Sequence, residues 1–230
     1  MSKKIFFITG TGTDVGKTIA TAGIAGLCVS SKMTTAAMKP IQTGSSEYEG
    51  DIATIKKIVA GLYPLPPKLE CPYTFPFPAS PHLAARVAGQ KIEPEKILGA
   101  IEKIRAIDEI DALLIEAAGG LLVPINGSYT NLDLIKDAKT PAILVASAGL
   151  GTINHTLLSV NALKNANIEI AGIIINKMPK APKMIEKDNL IIIEELSEIP
   201  ILAVIEETDD FGPMLLSQFE TEKLRQLLLS

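Results

Sequence analysis

The residues best equipped for chemistry stand near the start of the chain, in GTGTDVGKT at positions 10–18. Gly12, Thr13, Asp14, Val15, Gly16, Lys17, Thr18 and Ile19 follow an apolar run at 5–9 and lead into an Ala/Ile-rich helical segment. That is the strand, loop and helix layout of a phosphate cradle. Glycines let backbone N–H groups turn toward an anion, the helix start adds partial positive charge, and Lys17 brings a full one. Thr18 offers a neutral oxygen to Mg²⁺, so the loop reads as a triphosphate site. The strict spacing G-x-x-x-x-G-K-[ST] is not met, because position 11 is Thr and Gly10 stands one residue further back. The longer loop marks a subclass of phosphate site.

Further polar residues sit where apolar runs end. Lys39, braced by Pro40, is poorly placed as a solvent-facing lysine and well placed beside phosphate. Lys17 and Lys39 would then neutralise a transferring phosphoryl group; an exposed strand-end lysine is the plainer alternative. Asp51 begins a helical segment, where it is either an N-cap or a carboxylate aimed at Mg²⁺. Glu116 closes ALLIE, and a buried acid needs a cation or a hydrogen-bond partner, either a lysine or Mg²⁺. Thr18, Asp51 and Glu116 together form a hard oxygen set that leaves room for water and phosphate around a small octahedral ion.

The elements that must position these groups follow from the hydrophobic pattern. Continuous apolar runs at 5–9, 35–38, 112–116, 142–146, 170–176 and 201–205 are strands buried on both faces. Helix-period segments at 17–30, 52–60, 94–107, 153–165 and 184–196 alternate with them. The predicted fold is a three-layer α/β/α sandwich with a mostly parallel central sheet, one domain over residues 1–230. In such sheets ligands gather at the carboxyl ends of the strands, which is where the residues above stand. Residues 63–81, YPLPPKLECPYTFPFPASP, hold too many prolines for regular helix or a central strand. Tyr73, Phe75 and Phe77 favour an ordered loop or cap over a solvated linker.

Bulk properties exclude several classes. The net charge is −4 with a pI near 5.3 and no Lys/Arg block, which argues against nucleic acid or an anionic membrane as partner. Cys28 and Cys71 lack the spacing of a zinc site or a redox pair. The basic MSKK is followed by too short an apolar run for a signal peptide, and no run reaches the roughly 18 residues of a membrane span, so a cytoplasmic protein is expected.

Taken in order, the chain resembles the dethiobiotin synthetase family of P-loop NTPase-like enzymes along nearly its whole length. The resemblance rests on GTGTDVGKT, KPIQTG at 39–44, Asp51, PYTFPFPASPH at 72–82, EAAGG followed by VP at 116–124, GTINHTLL at 151–158 and IAGIIINK at 170–177. It implies ATP and Mg²⁺ as cofactors, and 7,8-diaminopelargonic acid and CO₂ or bicarbonate as substrates. One amine becomes a carbamate, the carbamate takes the γ-phosphoryl group, and the second amine displaces phosphate to close the ureido ring. It implies Lys17 and Lys39 as catalytic cations, Mg²⁺ on Thr18, Asp51 and Glu116, and Thr13, Lys39, Thr43 and Gly119 around the diamine. Asn176 matches an adenine-reading asparagine. Gly151, Thr152 and Asn154 match a helix start that meets the substrate carboxylate from a neighbouring subunit, which implies a homodimer.

Departures and rivals complete the reading. Ala117 replaces the family's glycine in EAAGG, and Ala203-Val204-Ile205-Glu206 replaces a glycine-containing segment against the base. His82 and His155 are expected to be structural, since neither has a Ser or Cys nucleophile to activate. A MinD/ParA-like regulatory ATPase is the main rival, but residues 9–13 carry no second lysine and the C-terminal EKLRQLLLS reads as a packing helix. An amidotransferase would need a glutaminase domain for which 230 residues leave no room.

Overall fold

The computed structural model describes residues 3–45, 50–208 and 210–230. Strand β1 (Lys4–Gly10) runs into the glycine loop, and α1 (Lys17–Ser30) begins once Gly16, at φ 96°, has turned the chain. There follow β2 (Thr35–Met38), β3 (Ile41–Thr43), α2 (Asp51–Ile58), α3 (Pro67–Glu70), β4 (Tyr73–Phe75), α4 (Pro81–Val87) and α5 (Pro94–Arg105). The middle of the chain forms β5 (Ala112–Glu116), β6 (Pro124–Asn126), β7 (Tyr129–Thr130), α6 (Asn131–Asp137) and β8 (Ala142–Ser147). The last part forms α7 (Thr152–Asn165), β9 (Ile170–Met178), α8 (Met184–Ser197), β10 (Ile201–Glu206), α9 (Pro213–Ser217) and α10 (Glu222–Leu229). Helices α3, α4, α5 and α9 all begin on a proline, whose fixed φ suits a first turn and whose missing N–H is not needed there.

Six parallel strands make the main sheet in the order β10-β9-β8-β1-β5-β2. Side chains alternate across it. Phe7, Leu113 and Ile115 point to one face, where they pack with Ile97, Ile101 and Ile104 of α5. On the same face Leu144, Ile173 and Ile175 meet Val160 of α7 and Ile193 of α8. Phe6, Ile8, Leu114 and Val145 point to the other face, against Ala20, Ile24 and Leu27 of α1 and Leu224 and Leu228 of α10. Helices on both faces of a parallel sheet make the three-layer sandwich expected from the pattern. Phe219, between α9 and α10, packs directly on α1 because residue 23 is glycine: a Cβ there would lie 2.1 Å from its ring.

The proline-rich stretch is ordered, with Tyr73 and Phe75 buried and Phe77 exposed. It is not wholly loop. Pro67 starts the single turn of α3, and β4, confined between Pro72 and Pro76, pairs in parallel with β3 in a separate two-stranded ribbon. The carbonyl of Glu70 accepts from the Lys39 backbone N–H at 2.9 Å, so this stretch holds the end of β2 in place.

Candidate active site

The ends of β1, β2 and β5 lie side by side, and β1 has the late strand β8 on its other edge. The chain leaves β1 toward one side of the sheet and returns to the other, the switch point where parallel sheets hold ligands. The loop from β1 to α1 is strained by design: Gly16 at φ 96° and Asp14 at φ 57° are both left-handed. A Cβ on Gly16 would come within 1.8 Å of Asn176 Nδ2, so only glycine fits. Asn176, at the end of β9, donates from that Nδ2 to the Val15 carbonyl at 3.1 Å, and Lys17 Nζ donates back to the Gly12 carbonyl at 2.8 Å.

Beside the loop lies a cavity of about 790 Å³. Thr13, Asp14, Gly16, Lys17, Thr18 and Ile19 line it from the loop and the first turn of α1. Lys39, Thr43, Glu116 and Gly119 line it from the ends of the other strands, Asp51 from the start of α2, and residues 78–81 close one wall. Gly12 borders a second cavity of about 510 Å³, which it shares with Thr13, Leu122, Leu158 and His155. Val15 and Asn176 are buried and support the loop. Gly151, Thr152 and Asn154, at the start of α7, line neither cavity. His82 is held at the start of α4, with Nδ1 3.1 Å from Ser80 Oγ.

Charge is concentrated on one cluster. Lys39 Nζ lies 2.6 Å from Asp51 Oδ2 and 2.7 Å from Glu116 Oε1, and donates to the Ala117 carbonyl at 3.2 Å. Thr18 Oγ1 donates to the same Glu116 Oε1 at 3.0 Å. Burial opposes the charge on Lys39, but Glu116 and Asp51 outweigh it and hold the ammonium above the usual lysine range. Asp51 is held low, burial being overcome by Lys39. Burial pushes Glu116 up, only partly offset by Lys39, and its Oε2 is buried without a partner. Lys17 is lowered to about 8, first by burial and then by the charge of Lys39. An orphaned buried carboxylate oxygen beside a second carboxylate and a hydroxyl is the donor chemistry a hard divalent ion takes, so the residues fit Mg²⁺.

Two supports carried no legible role in the sequence. Gln42 accepts from the Asp51 backbone N–H at 2.9 Å and donates to the Thr43 carbonyl at 3.0 Å, tying β3 to the start of α2. Asn131 is buried and donates to the carbonyls of Ala118 and Gly120 at 2.7 and 2.9 Å, clamping the loop after β5. Its visible signal was only the capping box formed by Thr130 and Asp133 at the start of α6. Ala117 departs from glycine without disturbance: its backbone N–H donates to the Ile8 carbonyl at 2.9 Å and its methyl enters the core.

Fold and loop together define a P-loop nucleotide-binding protein. Its fold is similar to that of a chain in the MinC:MinD cell division protein complex of Aquifex aeolicus (TM-score 0.66, 15% identity, covering 99% of this chain and 96% of that one). A ParA family ATPase from Chlorobium tepidum is also similar (TM-score 0.56, 15% identity, covering 100% and 93%). A family described as an AAA domain matches residues 4–214. Sequence relatives are more specific. ATP-dependent dethiobiotin synthetase BioD of Anoxybacillus flavithermus is 36% identical over 91% of this chain and 94% of its own. The Bacillus subtilis protein of the same name is 35% identical over 86% and 85%. The chain belongs to the ATP-dependent dethiobiotin synthetase family, an enzyme family.

Proposed function

We propose that this chain converts 7,8-diaminopelargonic acid and CO₂ to dethiobiotin with ATP and Mg²⁺. Family membership supports the overall reaction. The observation that carries the site is the convergence of Lys17, Thr18, Lys39, Asp51 and Glu116, drawn from four segments, on one cavity.

Carbamate and phosphate are both anions, so bringing them together requires dense positive charge away from bulk water. Lys17 and the N–H groups at the start of α1 hold the terminal phosphates, and Lys39 screens the carbamate from the phosphoryl group it attacks. Thr18, Asp51 and Glu116 would hold Mg²⁺, which when bound would neutralise charge on the phosphate oxygens. Thr13, Thr43 and Gly119 bracket the diamine, and Asn176 is the residue assigned to the base. The second amine then displaces phosphate and closes the ring.

A homodimer completes this reading. Leu122 and Leu158, on the second cavity, are 69% and 60% exposed, and Leu150 is 88% exposed. Such side chains favour an apolar contact with a second copy. That copy would bring Gly151, Thr152 and Asn154 to the substrate carboxylate. The first turn of α7 carries no acidic residue to repel it. No helix among the described residues is long and apolar enough to cross a membrane.

The test is ADP and dethiobiotin formation from ATP, bicarbonate, Mg²⁺ and the diamine. Phosphate release that does not depend on the diamine refutes the assignment. Lys39→Ala is expected to keep the fold and lose at least about a hundredfold in turnover, measured in the same assay.

A further inference from the structure

Lys39 has three N–H bonds and three acceptors, namely Asp51, Glu116 and the carbonyl of Ala117. None is left for a phosphoryl oxygen. The side chain is 5% exposed and that of Glu116 1%, so this pair is dry, while Asp51 at 33% keeps one side toward the cavity. Glu116 Oε1 already accepts from both Lys39 and Thr18, while Oε2 is buried and unpartnered.

We propose that Lys39 and the divalent cation are alternative occupants of the Asp51–Glu116 pair, and that arrival of the metal with nucleotide releases the Lys39 ammonium to the phosphoryl group. The inference rests on the metal and lysine roles given above. A divalent ion taking the orphaned Glu116 Oε2 and the Asp51 carboxylate would stand beside an ammonium held 2.6 and 2.7 Å from the other oxygens of that pair, and two cations so close repel each other. A tethered ammonium also competes at high effective concentration, so the metal alone displaces it poorly. Nucleotide changes the balance on both sides. Its phosphates complete the coordination of the ion and offer Lys39 new acceptors, reached by rotation about its flexible four-carbon stem. The second lysine is thus inserted among the reacting anions only when both metal and nucleotide are present.

Mn²⁺ binding followed by electron paramagnetic resonance separates the possibilities. Wild type, Lys39→Met and Lys17→Met are titrated without nucleotide and with a non-hydrolysable ATP analogue. Without nucleotide, Lys39→Met is expected to bind Mn²⁺ at least about tenfold more tightly than wild type, because the competing cation is gone. Lys17→Met removes one charge from the same cavity but leaves the carboxylate pair occupied, and is expected to show a much smaller gain. Equal affinities of wild type and Lys39→Met without nucleotide, or equal gains in the two variants, overturn the exchange while leaving the nucleotide-dependent metal site intact. Absence of Mn²⁺ from every form with nucleotide overturns the metal assignment and the exchange with it. A second measurement needs no substitution: in wild type, the Lys39 ammonium resonance in a ¹H–¹⁵N spectrum should stay in place with Mg²⁺ alone and move with Mg²⁺ and nucleotide. A resonance that holds its position with both bound overturns the proposal.

Discussion

Asn176 Nδ2 donates to the Val15 carbonyl at 3.1 Å, so the end of β9 holds the loop between β1 and α1. Since a carbonyl only accepts, the orientation of this amide is set, which leaves Oδ1 as an acceptor and the second Nδ2–H as a donor. The close fit against Gly16 makes the asparagine and the glycine a matched pair.

If Asn176 reads the base as proposed, that orientation predicts a preference. An amide that offers an acceptor beside a donor matches the adjacent N6–H₂ and N7 of adenine, where guanine presents the O6 carbonyl, so competition binding should rank ATP above GTP and UTP. Asn176→Ala is expected to weaken ATP binding by about 1–3 kcal/mol through the unpaired Val15 carbonyl and the lost base contact. Equal affinity for these triphosphates would detach Asn176 from base recognition.

Lys17 makes nucleotide binding pH-dependent. Its folded value is about 8, against 10.5 for an ordinary lysine. Phosphate favours the charged form, so below about 8 Lys17 adds no pH dependence to the affinity, and above it binding must recharge the lysine. Affinity should therefore fall by up to about tenfold per pH unit there. Calorimetry in two buffers of different ionisation enthalpy should reveal proton uptake near that pH. In the absence of ligand the sign is opposite for folding: between about 8 and 10.5 the unfolded chain binds more protons at this residue, so the Lys17 contribution to stability rises with pH.

Asn131 acts on the site without entering the cavity. Asn131→Ala leaves the carbonyls of Ala118 and Gly120 without their buried donor, which should cost about 1–3 kcal/mol in urea unfolding. Because the loop it clamps contains Gly119, KM for the diamine is expected to rise more than kcat falls.

Phe219 tests the packing under α1. Fully buried against Gly23, it is expected to cost about 3–5 kcal/mol on replacement by alanine, read as a lower urea midpoint at unchanged slope. Gly23→Ala should also destabilise, since its added methyl meets the ring at 2.1 Å.

Much of the architecture was legible locally. All six main-sheet strands fall within two residues of the apolar runs that suggested them, because a strand buried on both faces has to be apolar throughout. Helix α2 ends at Ile58, short of the expected 60, where Val59 turns extended. The small elements β3, β4, β6 and β7 escaped notice: two or three residues carry no readable period, and their pairing depends on what lies beside them.

The sequence by itself determined the phosphate loop, the alternation of strand and helix, and the identities of the lysines and carboxylates that meet at the strand ends, since these depend on residue type and spacing alone. The tertiary structure decided who pairs with whom. Lys39 finds Glu116 77 residues away and Asn176 finds Val15 161 residues away, contacts that exist only because the sheet order sets β5 beside both β1 and β2 and places β9 two strands from β1. Hydrogen bonds of that range follow from strand order and loop closure, which no local pattern encodes, and they determine whether the cations of this site are free or already engaged.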